Sequence, residues 1–139
     1  MGARQQNRTG RCSVNALQAL VVTSDISRRA FFRTALEACG IDCHEAHDGI
    51  DALKLASDYG IDLVVTALTM PRLDGLELLE LTRRGVFGNN PPPIIICISS
   101  PAEHDVVQHR GMRDCSGVLS PSATREQVIE VVFAALDGE

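Results

Sequence analysis

Tryptophan is absent from the 139 residues, tyrosine occurs once, and aromatics make up 4% of the chain. Flat π-faces for stacking nucleic-acid bases are therefore scarce. A basic surplus is missing too: 13 Lys and Arg stand against 18 Asp and Glu, for a net charge of −5. Phosphate backbones are bound by clustered cations, so this balance argues against a nucleic-acid surface. No apolar run approaches the roughly 18 residues that a membrane span requires. The run "ALQALVV" is interrupted by Gln18 and followed by no small-residue cleavage site, which argues against a secretory leader. A cytoplasmic protein is the expectation. The cysteines at 12, 39, 43, 97 and 115 are odd in number and irregularly spaced, which does not make a disulfide framework. Cys97, inside "IIICI", reads as a small buried hydrophobe. A glycine-rich phosphate loop is also lacking.

What is present is aliphatic. Hydrophobic residues reach 45% of the chain, enough for the core of one domain. Residues 1–16, "MGARQQNRTGRCSVNA", carry Arg4, Arg8 and Arg11 and no acid. They have neither helical nor strand period, which predicts a flexible basic tail ahead of a folded domain at 17–139.

Beyond the tail, short apolar runs alternate with longer amphipathic ones. The strand candidates are "ALQALVV", "IDCHEA", "IDLVVTAL", "IIICIS" and "GVLSPS". The third is the most buried, with Leu63, Val64 and Val65 apolar on both faces. A first helix is expected over "ISRRAFFRTALEACG", with Ile26, Ala30, Phe31, Leu36 and Ala38 as its apolar positions and Gly40 at its end. A second covers "DGIDALKLASDYG", with Ile50, Leu53, Leu55 and Ala56 inward. The third, "DGLELLELTRRG", places Leu76, Leu78, Leu79 and Leu81 inward. "PAEHDVVQHRGMRDC" is weakly periodic and reads as a short, loosely held helix. "TREQVIEVVFAAL" closes the chain, with Thr124 as its N-cap. Five strands alternating with five helices predict a parallel sheet covered on both faces, a doubly wound α/β sandwich of three layers. Ligands of such folds bind outside the carboxyl ends of the strands. That rule directs attention to Thr23–Ser24–Asp25, Thr66–Ala67–Leu68, Ser99–Ser100 and Ser120–Pro121.

Five blocks stand in order along the chain: "ALVVTSDISRRAFFRTALEACG", "EAHDGIDAL", "DLVVTALTMPRLDGLELL", "PIIICIS" and "LSPS". Together, over about residues 17–136, they resemble the receiver domain of bacterial two-component response regulators. The most specific is "MPRLDGLELL", with Pro71, Asp74 and Gly75 in the family's spacing after the third strand. The resemblance implies a flavodoxin-like fold and phosphoryl transfer from a histidine kinase onto an aspartate that ends the third strand. It also implies Mg²⁺ held by an acidic pair after the first strand, a hydroxyl after the fourth and a lysine after the fifth. Carried over by position, the acidic pair falls on Thr23 and Ser24, and the acceptor on Ala67. The hydroxyl falls on Ser99 and the lysine on Ser120, ahead of Pro121. Only the hydroxyl survives.

Alanine has no lone pair, so Ala67 is no nucleophile. Neutral hydroxyls are poor ligands for a hard divalent cation, and Asp25 is a single carboxylate one residue further on. The Mg²⁺ site is therefore predicted lost, with no catalytic residue and no metal. The pocket of Thr23, Ser24, Asp25, Ala67, Ser99, Ser120 and Pro121 reads as neutralised as a set. Thr66 is expected to point to the opposite face of the strand, and Thr69 is reachable but has no activating base. The family's switch aromatic aligns with Gly117 or Val118, so no ring is present to rotate. The resulting expectation is a degenerate receiver, or pseudo-receiver: a non-enzymatic, phosphorylation-independent module acting by protein contact. A histidine kinase and an output domain are the partners the resemblance implies. The alternative is a small-molecule or anion sensor using the neutralised pocket, and a thiol switch through Cys39 with Cys43 or Cys115 is a third reading.

His44, His47, His104 and His109 read as surface residues rather than metal ligands; positions 44 and 47 lie on opposite faces of a strand. Asp74 reads as a turn or N-cap residue. On the closing helix, Val128, Val131, Val132 and Ala135 suffice for a core stripe, while Ile129, Phe133 and Leu136 form a second one. This apolar surplus makes Val128, Ile129, Val132, Phe133 and Leu136 the candidates for a partner surface or a homodimer.

Overall fold

The structure, a computed structural model, describes residues 16–88, 90–110 and 115–137. The basic-tail expectation for residues 1–15, the Cys12 reading and the spacing ahead of the fifth strand at 111–114 lie outside them. Ala16 is already buried.

Five strands alternate with five helices: β1 (Gln18–Val22), α1 (Ile26–Glu37), β2 (Asp42–Ala46), α2 (Gly49–Asp58), β3 (Leu63–Ala67), α3 (Gly75–Arg83), β4 (Ile94–Cys97), α4 (Pro101–Arg110), β5 (Gly117–Leu119) and α5 (Arg125–Asp137). All pairings are parallel, in the order β2-β1-β3-β4-β5. The order reverses between β1 and β3, so the crevice outside their carboxyl ends is the topological switch point.

Strand alternation divides the core in two. Val21, Leu63, Val65 and Ile95 pack with Phe32, Leu36, Val128 and Val132 under α1 and α5. Leu20, Val22, Val64, Ile94 and Ile96 pack with Ala52, Leu78, Leu79 and Val107 under α2, α3 and α4. The large aliphatics of β1, β3 and β4 are almost completely inaccessible. Each removes enough apolar surface to contribute ~1.5–3 kcal/mol.

Polar residues start the helices. The side chains of Asp25, Asp48 and Asp74 accept from the backbone N–H of Arg28, Asp51 and Glu77 at 3.1, 2.8 and 2.9 Å. Asp74 and Glu77 complete a reciprocal capping box, as expected of a turn residue at that place. Thr124 and Gln127 do the same for α5, at 3.2 and 2.8 Å.

Two expectations need correction. On α1 the buried face is Phe32, Ala35 and Leu36, whereas Ile26 is 72% exposed and Phe31 lies at the surface. Packing against the sheet and α5 takes Phe32, Ala35 and Leu36, which leaves Ile26 and Phe31 on the outer side of the helix. On α5, Val128 and Val132 are fully buried against the first core cluster and offer no interface. Their spacing of four lays both toward the sheet.

The loop from β3 to α3 runs very close to its strand. Gly75 N–H donates to Leu68 O at 2.8 Å, and a Cβ at Gly75 would run into the carbonyl oxygen of Ala67. Gly75→Ala should therefore destabilise the fold by about 1–3 kcal/mol, the usual cost of forcing an atom into filled space. Urea denaturation checks this; an unchanged midpoint would show that the loop yields freely.

Candidate functional site

The crevice is built by the ends of β1, β3, β4 and β5 and the loops that leave them. Thr23, just past β1, is 5% exposed. Its N–H donates to Ala46 O at 3.0 Å, its Oγ1 accepts from Asp25 N–H at 3.2 Å, and its carbonyl accepts from Arg29 Nη1 at 2.8 Å. Ser24 and Asp25 are exposed. The Asp25 carboxylate is occupied as the α1 cap.

Ala67 ends β3, half-buried and paired with Cys97 of β4. Its side chain is a methyl group at the centre of the crevice. Thr66 is completely buried and its Oγ1 donates to Ala67 O at 3.0 Å, so it offers no hydroxyl to solvent. Ser99 and Ser120, past β4 and β5, are exposed. Ser120 Oγ lies 3.4 Å from Ser122 Oγ, and Pro121 presents its carbonyl to Arg28 Nη1 at 3.5 Å. Thr23, Ser24, Asp25, Ala67, Ser99, Ser120 and Pro121 thus all lie at or just past the carboxyl ends of β1, β3, β4 and β5.

The reading of this pocket as neutral is corrected by two side chains that helices contribute. Glu103, on α4, accepts from Ser99 N–H through Oε1 at 2.8 Å and from Thr69 Oγ1 through Oε2 at 2.6 Å. Burial alone would raise its pKa; the hydrogen bonds from Thr69 and Ser99 outweigh that, and with the nearby Arg28 charge they leave the carboxyl below its usual range. Arg28, on α1, lies over the Phe32 ring at 5.6 Å besides reaching the Pro121 carbonyl. Neither residue stood out in the sequence because both come from helices and not from strand ends. The spacing Ser100-x-x-Glu103 was the available signal, since it matches a capping box, and Ser100 Oγ does accept from Glu103 N–H at 3.3 Å.

A second charged link joins the blocks "HDG" and "MPRLDG". Asp48 is 3% exposed, and its Oδ2 receives Arg72 Nη2 at 2.8 Å and Nε at 3.0 Å. The Asp51 N–H and the Arg72 guanidinium hold the Asp48 carboxyl below its usual range against the effect of burial. Arg72 itself has φ of 73°, an uncommon conformation for a residue with a side chain, and the bond to Asp48 helps hold it there.

The histidines divide. His44 is buried, contrary to its reading as a surface residue: its Nε2 lies 2.7 Å from Gln18 Oε1, and its ring stacks on Tyr59 at 4.0 Å. His47 is exposed, with Nδ1 3.1 Å from Asp51 Oδ2. Among the described residues no group of three or more His, Cys, Asp or Glu is gathered as a metal site. Burial pushes the thiols of Cys43 and Cys97 up to about 12, which leaves them protonated and poor in reactivity at neutral pH. No helix among the described residues is long and apolar enough to cross a membrane.

The response regulator receiver domain family model matches residues 19–133. Among curated proteins, the chain is 30% identical over 120 residues to the Regulator of RpoS of Escherichia coli K12, covering 86% of this chain and 34% of that protein. It is 36% identical over 117 residues to the CAI-1 autoinducer sensor kinase/phosphatase CqsS of Vibrio cholerae, covering 83% of this chain and 17% of that one. The chain thus spans about a third or less of these relatives. Among solved structures, a response regulator receiver protein from Sinorhizobium medicae superposes with a TM-score of 0.78 at 21% identity, covering 91% of this chain and 98% of that one. At that identity the likeness establishes the fold.

The Glu103 geometry carries a pH dependence. A depressed folded pKa contributes stability above the unfolded carboxylate range, about pH 4, and that contribution is lost as pH falls through the lower folded value. Urea midpoints should therefore favour the native chain over Glu103→Gln at neutral pH, and the advantage should shrink on acidification below about pH 4. An advantage that grows with acid would contradict the assignment.

Proposed function

The chain belongs to the response regulator receiver domain family, and on that premise we propose that it is a signalling module acting by protein contact without aspartyl phosphorylation. The observation that carries this is the methyl group of Ala67 at the end of β3, where the family's acceptor would stand. No adjustment of environment turns a methyl group into a nucleophile. The nearest hydroxyl on the following loop, Thr69, is already donated to Glu103.

The donor set past β1 supports loss of the metal as well. Thr23 is buried and committed to backbone contacts, Ser24 is a neutral hydroxyl, and the Asp25 carboxylate caps α1. A hard divalent cation takes carboxylates and carbonyls in preference to such a set, so we infer that the chain uses no Mg²⁺ here. Without a nucleophile or a metal the chain has no phosphotransfer activity, and its partners are other proteins of a signalling pathway, a histidine kinase or an output domain among them. The sensor alternative required a neutral pocket, and the Glu103 and Arg28 charges remove that support.

The outer side of α5 is the surface we assign to contact. Phe133 is 44% exposed, and Ile129 and Leu136 are half-buried on the same helix. An exposed aromatic beside partly covered aliphatics fits the anchor of an interface, and a homodimer through α5 is the form we expect.

Two measurements test this reading. Acetyl phosphate with Mg²⁺ should leave the intact mass unchanged, and a stoichiometric phosphoryl adduct would overturn phosphorylation independence. Phe133→Ser should weaken self-association by about tenfold or more in sedimentation over a concentration series. A native chain that stays monomeric, or a variant that dimerises equally well, would remove α5 from the interface.

A further inference from the structure

Among the described residues, α4 is seated by little apolar contact. From Pro101 to Gln108 only Val107 is buried, and Val106 remains 38% exposed. An amphipathic helix usually anchors itself with a stripe of apolar side chains; α4 has one such anchor. Between it and β5 lies a groove of about 430 Å³ lined by Ile98, His104, Cys115, Gly117, Val118 and Ser120. A helix beside unfilled space, with few apolar contacts, is where local opening should be easiest.

The polar contacts at its N-terminus carry more weight than a cap requires. One Glu103 oxygen accepts the N–H of Ser99, four residues away and just ahead of the helix, while the Glu103 N–H is capped by Ser100 Oγ at 3.3 Å. The other accepts the hydroxyl of Thr69, 34 residues away on the loop that follows β3. At 2.6 Å that second bond has the length of a charge-assisted O–H···O⁻ contact, the stronger kind. The two donors leave the carboxyl ends of neighbouring strands that pair at Ala67 and Cys97.

We propose that Glu103 is a built-in tether: its carboxylate bridges the β3–α3 and β4–α4 loops and holds α4, and with it the α4–β5 groove, in one position. The chain supplies this anion itself, so the face is fixed without any group being added or removed. The tether deepens the reading of a phosphorylation-independent module and rests on it for its biological sense. The two fail separately: a phosphoryl adduct would overturn the reading, whereas unchanged exchange in α4 would overturn the tether.

Amide hydrogen exchange over residues 101–108 of the full chain is the measurement. Thr69→Val removes the long-range bond and leaves the helix cap in place; it should speed exchange in α4 by about tenfold, while Thr69→Ser, which keeps the hydroxyl, should stay near the native rate. Glu103→Ala should speed exchange further, and adding Thr69→Val to it should do nothing more, because the threonine acts through the carboxylate. Native exchange in Thr69→Val, or additive effects in the double variant, would reduce Glu103 to a local cap and overturn the tether.

Discussion

The interior of the molecule is organised by one constraint: β1, β3 and β4 are covered on both faces. Their side chains, from Leu20 to Ile96, have almost no solvent contact, and their backbone groups are satisfied by the parallel ladder. Functional polar groups can then emerge only where the strands end. The loops leaving those ends are kept close by short backbone contacts, such as Gly75 N–H to Leu68 O at 2.8 Å and Leu68 N–H to Cys97 O at 3.1 Å. The result is a narrow crevice in a fixed place, whatever residues happen to line it.

In this chain the strand ends themselves contribute little chemistry. Ala67 offers a methyl group, Thr23 is turned to backbone partners, and the Ser120 hydroxyl meets that of Ser122. Charge enters from the helices instead, with Glu103 from α4 and Arg28 from α1. A carboxylate whose oxygens both accept hydrogen bonds is worth more to the structure than one free in water. Glu103 thereby bridges the loops that follow β3 and β4. The Asp48–Arg72 pair joins the β2–α2 turn to the β3–α3 loop in the same manner. Together the two links give the loops around the crevice defined neighbours.

The strands and helix starts were legible because their signals are local. An apolar run such as "LVV" between polar neighbours has few alternatives, and Asp or Thr ahead of an amphipathic run makes a cap whose partner lies three residues on. The rotation of α1 was not legible. Phe31 and Phe32 are equivalent in composition, and only packing beneath α5 places Phe32 inside at 3% exposure. His44 illustrates the same difficulty, since its burial depends on Gln18 from the adjacent strand and on Tyr59 from beyond α2. On α5 the count of apolar residues exceeded one stripe, but which of them faced the sheet was a question of helix rotation.

The sequence by itself determined the order of elements, the family, and the chemistry missing from position 67, because each rests on residue identity or on periods of two and 3.6. Only the tertiary structure decided that Val128 and Val132 are core, that Arg72 reaches Asp48, and that Glu103 meets Thr69 across 34 residues. Those outcomes depend on where separate helices come to rest against the sheet, and no local pattern contains that distance.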